Sequence, residues 1–220
     1  MSYYIDADEV SLDELRKRIE STDLVPSRAS LLDEITNKMK TLESHGIQTL
    51  AHLRTELKTP RRLDAVASAT GIDPQYLILL RRETESYFPK PFTLKEFDWL
   101  PKEEISRLEE SGIRNTAALY EATASAESRA ELISSTGVDA EVLDALTLLA
   151  DLTRVQWVSP TTARMLVAVS CNNASKLAAA DAGELCASLE RINAGDRYFK
   201  GKIGLRDIKR LVHAASYVPA

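Results

Sequence analysis

Leu42-Glu43-Ser44-His45-Gly46-Ile47 returns as Leu108-Glu109-Glu110-Ser111-Gly112-Ile113, and Thr70-Gly71-Ile72-Asp73 returns as Thr136-Gly137-Val138-Asp139. Between these landmarks Ala51 and Leu53 return as Ala117 and Leu119. Beyond them Leu77 and Leu80 return as Leu143 and Leu146. Every pair keeps one gap-free offset of 66 residues. A unit made twice at constant length points to a repeat array, in which each unit covers the face its neighbour leaves open. A third, divergent unit follows at an offset of 58: Trp99-Leu100 returns as Trp157-Val158, and Leu108 and Leu119 return as Leu166 and Leu177. Ser170-Cys171 then stands where Gly112-Ile113 stood, so Cys171 is expected as a small core hydrophobe.

Helix boundaries are legible around these landmarks. Ser11-Leu12-Asp13-Glu14 and Thr93-Leu94-Lys95-Glu96 fit capping boxes. Thr59-Pro60, Asp73-Pro74 and Ser159-Pro160 place a capping side chain before a proline at the first helical position. Gly46, Gly71, Gly112 and Gly137 fall where a left-handed residue ends a helix. Helices are therefore expected near 11–20, 28–45, 50–57, 60–70, 74–86, 94–98, 102–111, 116–123, 126–136, 140–154, 160–170, 174–179, 182–193 and 205–217. No stretch alternates as a strand would. Tyr87-Phe88-Pro89-Lys90-Pro91-Phe92 marks a linker, because its prolines disfavour helix. The expected fold is all-α, with tandem units in two lobes: 1–86, a linker at 87–93, and 94–220. Trp99 and Trp157, at equivalent positions, are expected as buried packing residues.

The chain has 220 residues, 44% of them hydrophobic and only 6% aromatic, which suits a helical globular protein. The first residues are acidic and lack an apolar run, so neither a signal peptide nor a membrane contact is expected, and the location inferred is cytoplasmic. The net charge of −5 conceals an asymmetry: residues 96–152 carry −9 and residues 153–220 carry +5. His45, His52, His213, Cys171 and Cys186 show no metal-ligand spacing. Gly201-Lys202-Ile203-Gly204 lacks the remaining residues of a phosphate loop, and no nucleophile elbow occurs. Glu103-Glu104 and Glu109-Glu110 fit an exposed acidic face better than an acid–base pair. No catalytic site, cofactor or metal is expected.

Each unit reads as helix, tight Gly–apolar turn, then a short capped helix, and so resembles the helix-hairpin-helix superfamily. Residues 150–217 go further. Ala150 through Val158, then Ala163, Leu166, Leu177-Ala178, Glu184-Leu185, Ile192-Asn193, Ile208 and Ala214-Ala215 resemble an uncharacterised bacterial family of tandem helix-hairpin-helix proteins, catalogued as a domain of unknown function. The resemblance implies DNA binding, in which backbone N–H groups at the start of a hairpin helix meet a phosphate. Where such a hairpin reads Gly–Val–Gly, this chain has Trp157-Val158-Ser159, Trp99-Leu100-Pro101 and Asp33-Glu34-Ile35.

With those glycines missing, any grip on nucleic acid falls to side chains of the basic C-terminal unit. Arg206, Lys209, Arg210 and His213 share one face of the last helix. Arg197, Lys200 and Lys202 precede it, interleaved with Tyr198 and Phe199, a pattern that grips phosphates and stacks bases. The expected contact set is Thr161, Thr162, Arg164, Lys176, Arg197, Lys200, Lys202, Arg206, Lys209 and Arg210. The alternative is a protein-interaction scaffold whose degenerate hairpins no longer touch phosphate, with the acidic 96–152 surface as its docking face.

Overall fold

The computed structural model describes residues 2–219. The protein is all-helical: α1 Leu12–Ser21, α2 Ile35–Ser44, α3 Leu50–Leu57, α4 Pro60–Thr70, α5 Pro74–Glu85, α6 Lys102–Glu110, α7 Thr116–Ala122, α8 Ala126–Thr136, α9 Ala140–Thr153, α10 Pro160–Ala168, α11 Ala174–Ala178, α12 Ala182–Ile192 and α13 Leu205–Ala215. Short 3-10 turns span Pro26–Leu32 and Leu94–Glu96. Among the described residues the only extended pairings are two isolated bridges.

The repeat sits on these boundaries. α2 to α5 and α6 to α9 are the same four helices 66 residues apart, with ends agreeing within two residues. α10 and α11 begin where the 58-residue offset puts them, and α12 and α13 complete a third set of four. In each set the second helix packs on the fourth: α3 on α5, α7 on α9, α11 on α13. The turn after each first helix closes identically. Ile47, Ile113 and Cys171 donate their N–H groups to the carbonyls of Leu42, Leu108 and Leu166, at 3.1, 2.9 and 3.0 Å. Each of those leucines is fully buried.

Caps explain why the short helices hold. Thr49, Asn115 and Asn173 cap α3, α7 and α11, each accepting a backbone N–H three residues on. Both expected capping boxes form, at Ser11 and at Thr93. Each box residue also pairs with a cap of a second helix, Ser11 with Thr49 and Thr93 with Asn115. Two expected helices differ. The span 28–45 is broken, because Glu34 adopts a left-handed conformation (φ 52°) between a 3-10 turn that begins at Pro26 and α2. The span 94–98 is a single 3-10 turn over Leu94–Glu96.

The chain divides into two compact units, Asp6–Phe88 and a second built from 1–5 together with Pro89–Ala220. In the first, Glu83 is only 1% exposed and pairs with Arg28, while the Arg18 guanidinium lies 3.5 Å from the Tyr87 ring centroid. The Tyr76 hydroxyl donates to the Leu31 carbonyl at 3.1 Å, and burial first, with Asp33 nearby, pushes its pKa up to about 12. The second unit has one continuous core in which leucines and alanines of α6 to α13 meet. Tyr3 belongs to that core: its ring stands edge-on to Tyr120, and its hydroxyl lies 3.0 Å from Thr116 Oγ1 and 3.4 Å from Thr153 Oγ1. Tyr4 donates to the Pro89 carbonyl at 3.0 Å beside it.

Candidate nucleic-acid interface

The third set of helices departs from the first two at one connection. In the first two sets the third and fourth helices are joined by Gly71-Ile72-Asp73 and Gly137-Val138-Asp139, with the glycine left-handed and the aspartate capping the next helix. In the third set the same connection, between α12 and α13, is the long loop 193–204, whose Gly204 precedes α13 without a side-chain cap bond. Ile203 keeps the place of Ile72 and Val138, one residue before the cap.

Asn193 organises this loop. It is buried, its Oδ1 accepts the N–H groups of Tyr198 at 3.0 Å and Phe199 at 3.1 Å, and its Nδ2 donates to the Phe199 carbonyl at 3.1 Å. Gly201, at φ 129°, leaves room for the Phe199 ring, whose edge would lie 3.2 Å from any Cβ there. The ring is thus held in place and remains 38% exposed.

Between this loop, the start of α10 and the inner face of α13 lies a groove of about 610 Å³, within the range of small-ligand sites. Trp157, Met165, Phe199 and Ile203 supply apolar wall; Thr161, Thr162, Lys202 and Arg210 supply polar rim. Ser159 caps α10 by accepting the Thr162 N–H at 3.1 Å, and its hydroxyl lies 2.9 Å from that of Thr162. The Asp207 carboxylate is folded back over Gly204.

The Trp157 expectation fails. Its indole is 39% exposed, and its backbone is left-handed at φ 68°, a conformation that a bulky residue adopts only at a cost of about 1–3 kcal/mol. The turn that joins α9 to α10 places this residue on the groove wall rather than in the core. The Arg210 guanidinium lies 4.1 Å from the indole centroid, and its Nε is shielded from solvent without a hydrogen-bond partner. A second groove of about 410 Å³ adjoins Trp157, against Lys90, Phe92 and Glu96. Trp99, by contrast, packs against the core, edge-on to Phe97.

Of the expected contact residues, Thr161, Thr162, Lys202 and Arg210 meet at the groove. Arg164 lies between the rings of Trp99, at 4.7 Å, and Tyr198, at 5.4 Å; Arg197 also covers Tyr198. Lys200, Arg206 and Lys209 are exposed on the loop and α13, and Lys176 is exposed on α11. Sequence reasoning missed Trp157 and Asp207 as groove residues. A tryptophan before a proline-led helix start carries no mark of a left-handed backbone.

Of the acidic candidates, Glu103 and Glu110 are exposed, whereas Glu104 and Glu109 have partners. Glu104 accepts the Asp139 N–H at 2.7 Å, and Glu109 pairs with Lys95 at 3.0 Å. Both cysteines are free and buried, and burial pushes both thiols up, toward the unreactive neutral form. Among the described residues no group of side chains could hold a metal ion, and no helix is long and apolar enough to cross a membrane.

No curated protein and no solved structure matches this chain. Residues 100–218, which span α6 to α13 and the groove, match the family described as Domain of unknown function (DUF4332). The chain belongs to that family.

Proposed function

We propose that the protein is a non-catalytic nucleic-acid-binding protein of helix-hairpin-helix type, whose contacts are made by the C-terminal set of helices. The observation that carries this reading is the meeting of Lys202 and Arg210 with two exposed aromatic rings, Trp157 and Phe199, around one groove. Cations beside partly exposed aromatic rings suit a polymer of phosphates and bases. Lys200, Arg206 and Lys209 extend the positive charge outward from the rim, consistent with the +5 balance of residues 153–220. The Trp157 side chain, standing where a phosphate-binding hairpin has glycine, blocks close approach of a backbone. The grip is therefore mainly electrostatic and weakly sequence-specific.

The test is a binding titration of the full chain against labelled oligonucleotides at about 50 mM salt, where nonspecific binding is strong. Binding should weaken steeply with added salt. The double charge reversal R206E/R210E should weaken it further and flatten the salt slope by about one unit for each phosphate it releases. Absence of binding to any strand at low salt overturns the reading. A protein-interaction role through the acidic 96–152 segment then takes its place.

A further inference from the structure

We infer that the groove beside α13 takes one unpaired base of the bound strand, so that the unit recognises single strands and frayed ends in preference to closed duplex. This rests on the nucleic-acid reading above and adds what enters the groove. Three observations point the same way. First, the wall is apolar and the volume is ample for a base, whereas a base stacked inside a duplex cannot reach it without leaving its neighbours. Second, the two aromatic rings at the groove are held open rather than packed away. Asn193 and Gly201 fix Phe199 in its exposed position, and a left-handed backbone fixes Trp157. A left-handed backbone at a large aromatic that stays 39% exposed points to a site rather than to a core.

Third, the polar groups divide by sign. Arg210 is anchored on the Trp157 ring with an unpaired Nε, and Lys202 stands on the rim, so phosphate is attracted there. Asp207 places a carboxylate at the start of α13, where it repels phosphate and can accept a hydrogen bond. Every base carries an N–H donor on its pairing edge, and that edge is free only when the base is unpaired. The groove thus offers stacking surface, an acceptor for the base edge and cations for the flanking phosphate.

The experiment compares a mixed-sequence single strand, the duplex of the same sequence and a nucleoside monophosphate, each titrated into the full chain at low salt. Binding is read by anisotropy or competition. Emission of Trp157 is read in a Trp99→Phe background. The single strand should bind about tenfold or more tighter than the duplex, and should quench Trp157 where the duplex does not. Phe199→Ala should cost the single strand about tenfold and the duplex less, since removal of one stacking partner has an effect of that size. Phe199→Tyr should restore binding, and circular dichroism of both variants should match the parent. Equal affinity for both forms, with Phe199→Ala neutral on each, overturns the base pocket while the nucleic-acid reading stands. No binding to either strand overturns both. A monophosphate that binds as tightly as the strand overturns the strand as source of the base.

Discussion

The helix sets α6 to α9 and α10 to α13 share a plan but differ in what they leave open. In the first, Gly137-Val138-Asp139 joins α8 to α9 in three residues and buries its valine. In the second, the loop 193–204 replaces that turn, and a groove with two exposed rings appears beside it. The shared parts are those that bury leucine, and the differing part is solvated. A repeat can therefore acquire a groove by lengthening one connection, while the packing that makes it a repeat stays intact.

The largest expected effect tests the shared part. Leu42, Leu108 and Leu166 are equivalent, fully buried, and each closes a turn. Replacing any one by Ala should cost about 2–5 kcal/mol in urea unfolding, from lost transfer energy plus the cavity left behind. A cost below about 1 kcal/mol at Leu166, with full cost at Leu108, would break the equivalence of the two sets. A smaller effect tests the differing part. Asn193→Ala removes three hydrogen bonds to the loop and should destabilise by about 1–3 kcal/mol. Hydrogen exchange should accelerate at the Tyr198 and Phe199 amides while Ile113 and Val138 stay protected. Unchanged exchange at Phe199 would show that something other than Asn193 holds the ring.

The smallest effect has opposite signs in the two sets. Gly112 is left-handed at φ 96° with open space around it, and Ser170, its counterpart, is left-handed at φ 64°. Gly112→Ala should cost about 1–2 kcal/mol through backbone strain alone. Ser170→Gly should gain up to about 1 kcal/mol as strain is relieved. The same sign for both would sever the match between the two turns.

Most of the helical plan was legible because its signals are local. Gly71 and Gly137 mark helix ends through the backbone they alone adopt easily, and Ser11 with Glu14 marks a start through two hydrogen bonds within one turn. The break at Glu34 was not legible, since nothing at Asp33-Glu34-Ile35 disfavours helix locally. At the groove, Lys202 and Arg210 were legible from charge, Arg210 also from helical phase, and Thr161 and Thr162 from their place at a proline-led helix start. Its aromatic wall was only half so. Phe199 stood out among the cations of its loop, whereas Trp157 looked like Trp99 because the two share a sequence environment and differ in one backbone angle. That angle depends on how α9 meets α10, a long-range matter that spacing does not encode.

Tyr3 carries a last consequence, one of timing. Its hydroxyl reaches Thr153, 150 residues away along the chain. During synthesis, which runs from the N-terminus, residues 6–88 have all the partners of their own unit before the slot for Tyr3 exists. Tyr3 must wait outside this core until Thr116 and Thr153 have emerged. Closing so long a loop is entropically slow, so docking of Tyr3 belongs among the final steps of folding.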